Sequence, residues 1–140
     1  MVRSVKTLTF GVEHSYSYSA AGIEVPVCLK MDNARNVRLH AKVDTGAADC
    51  IFQKDYADQL AIEVEKGALK TFWTATGKFD AYGHSLTLSC FNWEYETTVY
   101  FAASDEYRRN VVGRSGWLQK FRLAIIDHDT LLFISHYDDP

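Results

Sequence analysis

The chain has 140 residues, 47% hydrophobic and 24% charged, which suits one soluble globular domain that buries its own core without a disulfide or metal staple. A formal net charge of -3 with scattered Lys and Arg leaves no electrostatic footprint for nucleic acid or an anionic membrane. Cys28, Cys50 and Cys90 are odd in number and lack CxxC spacing, which argues against a disulfide framework and for a reducing compartment.

Residues 1–22 read as an N-terminal segment, a flexible stretch or part of a dimer interface, and residues 23–140 as the folded domain. The first eight residues contain no apolar run of signal-peptide length, and no segment approaches a membrane span; a cytoplasmic location is expected. Residues 15–22 are small and polar and read as a loop. Residues 24–31 are rich in β-formers, with Pro26 marking a strand start or edge. Residues 32–36 read as a hairpin loop. Val37, Leu39, Ala41 and Val43 alternate with Arg38, His40 and Lys42, a period of two that specifies a half-buried strand. Cys50, Ile51 and Phe52 form a short buried strand, and residues 54–60 allow one or two helical turns. Residues 70–82 read as a hairpin about Thr76-Gly77, a turn that needs a positive φ angle. Strands follow at 86–88 and 95–101, joined near Asn92 and Trp93. Residues 104–110 are a polar loop, in which Arg108-Arg109 reads as a solvated turn. A short helix at 116–121 and closing strands at 121–127 and 131–134, turning at His128-Asp129, complete the chain. Many short strands with frequent turns specify an all-β barrel or sandwich.

His14, His40, His84, His128 and His136 are dispersed and form no HExxH pattern, so neither a metal nor a cofactor is expected. His40 and His84 read as satisfied strand or loop residues, and the three cysteines as small hydrophobes. Trp117 anchors the short helix. Trp73 either lines a pocket or fills core or dimer packing. The informative element is Asp44-Thr45-Gly46, followed by Ala47 and Ala48. A strand delivers one carboxylate into a tight turn of small residues, with apolar Ile51-Phe52 beyond. A turn Asp bonded to its own backbone is the competing reading.

Three blocks in order, Val43-Asp44-Thr45-Gly46-Ala47, Thr74-Ala75-Thr76-Gly77 and Val111-Val112-Gly113-Arg114, resemble the retropepsin-like aspartic proteases over residues 24–135. The resemblance implies a closed barrel of short strands, with a six-stranded type of core, one or two short helices and a flap hairpin. It also implies an aspartic endopeptidase acting on polypeptides, with Asp44, Thr45 and Gly46 at the catalytic position. Ala47, Ala48, Thr74, Ala75, Thr76, Gly77 and Val112 would then contact substrate. Thr45 would bond the partner's loop, Gly46 would donate toward the carboxylates, and Val112 and Gly113 would pack beneath the loop. Two carboxylates sharing one proton activate water in this chemistry. The chain has one Asp-Thr-Gly, so the resemblance implies a homodimer with Asp44 from each chain meeting at the two-fold axis, with a heterodimer as the other completion.

Two departures stand out. Ala48 occupies the position where retroviral members often carry an acid that pairs with the Arg after the Gly; Asp49 with Arg114 is one substitute the sequence offers, and a slight surface pair is the competing reading. Trp73 and a single Gly77 imply a stiffer flap or a different closure. These departures keep open an alternative from another class: a dimeric peptide- or protein-binding module with weak or no catalysis.

Overall fold

A computed structural model describes residues 5–140. Residues 1–4, part of the expected N-terminal segment, lie outside the described residues. The first strand is β1 (Val12–Ser15), in a region where the sequence carries no strand signal. Next come β2 (Glu24–Lys30) and β3 (Asn36–Val43), an antiparallel hairpin around the expected loop. Their period-two pattern decides the faces: Val25, Val27, Leu29, Leu39 and Ala41 are buried, while Arg38, His40 and Lys42 are exposed. Pro26 lies inside β2, outside the Cys28–Lys30 stretch that pairs on its other side, so its missing N–H costs no ladder bond there.

The chain continues through β4 (Ile51–Phe52), helix α1 (Lys54–Gln59), β5 (Ala68–Thr74), β6 (Gly77–Cys90), β7 (Trp93–Ala102) and β8 (Val111–Val112). The pairing order β2-β3-β8-β4-β7-β6 returns to β2 through Cys28–Lys30 against Thr87–Ser89. This closes a six-stranded barrel and leaves β5 outside it. The 14-residue β6 serves both parts. Its first half pairs with β5 as a hairpin, its second half pairs with β2, and β7 runs along it from Ala81 to Cys90. The sequence reading split this strand in two, because Gly83 interrupts its apolar pattern. The remaining strands, β9 (Phe121–Ile126) and β10 (Leu131–His136), form a separate antiparallel sheet in the order β1-β10-β9. Both short-helix expectations are met, by α1 and by a single 3₁₀ turn at Leu118–Lys120.

Phe52, Leu60, Phe101, Trp117, Leu88 and Leu29 are fully buried, and each such side chain contributes roughly 1.5–3 kcal/mol. The barrel therefore needs no covalent staple. Trp117 precedes the 3₁₀ turn, as expected of its anchor. His84 is satisfied by the Val64 carbonyl at 2.8 Å. Among the described residues, no helix is long and apolar enough to cross a membrane.

Cys50 and Cys90 are buried, and burial pushes both thiols up to about 12. Cys28 is partly exposed. Titration of native protein with a thiol reagent near pH 8 is expected to modify Cys28 alone, and all three cysteines after denaturation. Rapid native reaction of Cys50 would contradict this packing.

Candidate active site

β3 ends at Val43, where it runs parallel to β8 with Val43 opposite Val112. The ladder continues one residue further: the Asp44 N–H donates to the Val112 carbonyl at 3.0 Å. The chain then turns. Gly46 N–H donates to Asp44 Oδ1 at 3.0 Å, and Ala47 N–H donates to the Asp44 carbonyl at 3.2 Å. The carboxylate is thus oriented by its own turn, the local geometry anticipated for an Asp before a Gly. Among the described residues nothing donates to Oδ2, and Asp44 is half-buried, so the second oxygen is available to a reacting group. Thr45 is exposed, and its hydroxyl has no partner among the described residues.

A second segment holds this loop from below. Arg114 N–H donates to the Ala47 carbonyl at 2.9 Å and Ser115 N–H to the Ala48 carbonyl at 2.8 Å. A Cβ on Gly113 would lie 2.4 Å from the Asp49 carbonyl oxygen and 2.7 Å from that of Ala47. Only glycine lets the two backbones approach this closely. The Gly113 N–H donates to Cys50 Sγ at 3.5 Å, which gives the buried thiol its place in the stack.

A cleft of about 530 Å³ opens over the loop. Asp44, Gly46, Ala47, Ala48 and Asp49 line one side, and the β5–β6 hairpin lines the other through Phe72, Trp73, Thr74 and Phe79. Phe72 and Phe79 pair across the hairpin and stack at 5.4 Å. Tyr100 meets Phe72 edge-on at 5.3 Å, and Tyr107 meets Phe79 at 4.9 Å. Four rings thus brace the base of the hairpin above the loop. At its root, a Cβ on Gly67 would fall 2.4 Å from the Gly83 carbonyl, so the two strands start in tight contact. At its tip, Thr74 Oγ1 donates to the Gly77 carbonyl at 3.0 Å and accepts from Thr76 N–H at 3.3 Å. Gly77 has φ +143°, the positive angle that the turn was expected to require.

The loop and the hairpin are also joined by charge. Buried Asp49 accepts from Lys70 Nζ on β5 at 2.6 Å. That hydrogen bond holds the Lys70 ammonium above the usual lysine range. The alternative Asp49–Arg114 pair does not form: Arg114 is exposed and makes no ion pair among the described residues. Asp49 forms a bridge with Ser115, and the cation that reaches it comes from the hairpin across the cleft. Trp73 is 77% exposed and lies beside Lys78, whose ammonium sits 5.5 Å from the ring centre. It does not fill the core of its own chain.

Of the sequence-predicted residues, Asp44, Gly46, Ala47, Ala48 and Thr74 line one cleft. Ala75, Thr76 and Gly77 form the exposed tip beyond it, and Val112 is wholly buried beneath the loop. Its neighbour Val111 reaches the cleft wall. Lys70, Phe72, Phe79, Tyr107 and Arg109 were not singled out as site residues. The Phe72–Phe79 pair was legible in principle, since a turn at residues 75–76 sets those two positions opposite each other. Tyr107 is pushed up to about 12 by burial, opposed by the Arg109 charge and reinforced by that of Asp44. Its phenol is therefore a neutral hydrogen-bonding group at physiological pH. Among the described residues one cluster, His136, Asp138 and Asp139, brings potential metal-ligand atoms within 4.8 Å; it is at the end of β10 and does not line the cleft.

No protein-family model matches the chain, and no curated protein matches it in sequence. Solved structures do. A retropepsin-like aspartic protease from Rickettsia conorii superposes with a TM-score of 0.64 and 24% identity, covering 89% of this chain and 98% of that one. The EIAV protease, complexed with an inhibitor, gives 0.51 and 15% identity over 76% of this chain and 88% of that one. The chain has the retropepsin-like fold.

Two stability measurements probe the site's scaffold. Gly113→Ala is expected to cost about 1–3 kcal/mol in urea unfolding, because backbone has to move away from the new methyl group. Lys70→Met leaves the Asp49 carboxylate buried without its cation, whereas Lys70→Met with Asp49→Asn removes both charges. A double-mutant cycle on these two positions should return a favourable coupling of about 0.5–1 kcal/mol, moderated by a Lys70 side chain that is 45% exposed. Zero coupling would mean that the pair does not join loop to hairpin.

Proposed function

We propose that this chain is an aspartic endopeptidase that works as a homodimer, with Asp44 of each copy flanking one water. The observation that carries the reading is the state of Asp44: oriented through Oδ1 by Gly46, without a donor at Oδ2 among the described residues, and facing a cleft roofed by a hairpin. The retropepsin-like fold supports it. One chain supplies one such carboxylate, and peptide hydrolysis by this route needs two. The exposed Thr45, with an unengaged hydroxyl beside Asp44, is suited to a contact with a second copy.

In the proposed reaction the two carboxylates share one proton, since like charges that close disfavour double ionisation. The ionised member takes a proton from water as the water oxygen bonds to the peptide carbonyl carbon. The protonated member gives its proton to the carbonyl oxygen, forming a neutral tetrahedral diol. Collapse of the diol breaks the C–N bond: one diol hydroxyl returns its proton to the ionised carboxylate as the C=O re-forms, and the proton taken from water goes to the leaving nitrogen. The β5–β6 hairpin, with exposed backbone at its tip, would cover an extended peptide and limit access of bulk water.

A second reading, a dimeric peptide-binding module, draws on the absence of an Asp49–Arg114 pair among the described residues, where Asp49 pairs with Lys70 instead. Peptide-library cleavage by wild type and Asp44→Asn from acidic to neutral pH separates the two. The enzyme reading expects a loss of about 10²–10⁴-fold in the variant. Cleavage unchanged by Asp44→Asn, or absent from folded dimeric wild type at every pH, would falsify it. Adding Asp44→Asn chains to wild type should depress activity beyond simple dilution, because mixed dimers hold one carboxylate. Sedimentation at micromolar concentration should find a dimer; a cleaving monomer would overturn the shared-carboxylate mechanism.

A further inference from the structure

The polar loop 104–110 contributes a cation to the cleft. Arg109 is exposed and lines the same cavity as Asp44, Val111, Phe79 and Tyr107. Its backbone is well held. The next residue, Asn110, accepts from Lys42 N–H at 2.8 Å through its carbonyl and from Gln53 N–H at 3.0 Å through Oδ1. At the other end of the loop, Ala103 N–H donates to the Asp80 carbonyl at 3.0 Å. The guanidinium therefore hangs from a pinned stem.

The charges facing the cleft can be counted. Asp49 is taken by Lys70, and Arg108 points to Asp55 at 3.9 Å, with both of those side chains solvated. Lys78 stands on the hairpin over Trp73. Arg109 forms no ion pair among the described residues and keeps five donors in a planar fork. In a dimer with one shared proton, the two Asp44 groups carry one negative charge against two Arg109 charges. The cleft wall is then cationic beside an aromatic roof.

We infer that Arg109 is a specificity-determining residue that selects a peptide carrying a carboxylate side chain near the bond to be cleaved. The inference rests on the proposed peptide-cleaving, dimeric reading of the site. It adds a symmetry consequence: each copy brings an Arg109, so the preference falls on both sides of the bond at positions related by the two-fold axis. The aromatic rings take the apolar part of the neighbouring side chains, and the guanidinium takes the carboxylate as a charge-assisted pair.

The test is a position-scanned peptide set, acetylated and amidated so that only side chains carry charge, with Glu, Gln, Lys or Leu at each position flanking the bond. Wild type is expected to prefer Glu over Gln by about tenfold in kcat/KM at one position on each side. Arg109→Gln should bring that ratio to about unity, and Arg109→Glu should turn the preference to Lys. A Glu preference that survives in Arg109→Gln overturns the assignment, as does cleavage by wild type with no Glu preference. If wild type cleaves nothing, the endopeptidase reading fails instead. Fluorescence anisotropy on the same labelled peptides then decides Arg109 alone: tighter Glu binding that Arg109→Gln abolishes sustains its role, and equal or absent binding ends it. Circular dichroism of both variants confirms that an exposed position has been changed without loss of fold.

Discussion

The backbone contact between the Asp44 loop and residues 111–115 is the constraint on which the rest depends. Val112 receives the Asp44 N–H, and Arg114 and Ser115 donate back to Ala47 and Ala48, so the loop is gripped on three successive strides. Gly113 makes the grip possible by carrying no side chain where none would fit. A carboxylate on a free loop would sample many directions at an entropic cost to any reaction it served. Here its direction follows from backbone hydrogen bonds, and the buried Cys50, Val112 and Trp117 behind them keep water from competing.

The hairpin over the loop is placed by different forces. Four aromatic rings and one partly buried ion pair fix its base, while its tip has the end of the strand ladder and the Thr74 hydroxyl. The gradient runs from a tight root to an exposed end. That distribution suits a cover whose position must be reproducible and whose edge must yield to an incoming chain. The Asp49–Lys70 pair makes loop and cover one mechanical unit within a single protomer.

Much of this was legible in the residues. The alternation from Val37 to Val43, the turn before Gly77 and the short apolar run at Ile51-Phe52 each carry a local pattern, and each became the element it implied. Where pattern is weak, the reading stopped. β1 has a sequence, Val-Glu-His-Ser, that owes its strand to pairing with β10 more than to its own propensity. Gly83 hides the continuity of β6, because a glycine that sits close under the Tyr100 ring reads in isolation as a break. The partner of Asp49 is a matter of tertiary contact. A lysine 21 positions away has no sequence signature linking it to that acid, and the two meet because the β5–β6 hairpin stands over the loop. Arg108 and Arg109 look alike in the chain, and only the fold shows that the second lines the cleft while the first does not.

The single strand β6 has a further consequence when the molecule is regarded as a mechanical object. One half of it is a stave of the barrel and the other half is an arm that projects from it, with Gly67 and Gly83 meeting at the clamp. The arm is a cantilever: its root cannot tilt without shearing the barrel's own hydrogen bonds. Bending is therefore confined to the span beyond the clamp, and a load applied at the tip is felt along Thr87–Ser89 at the far seam, where β6 meets β2 and the barrel closes.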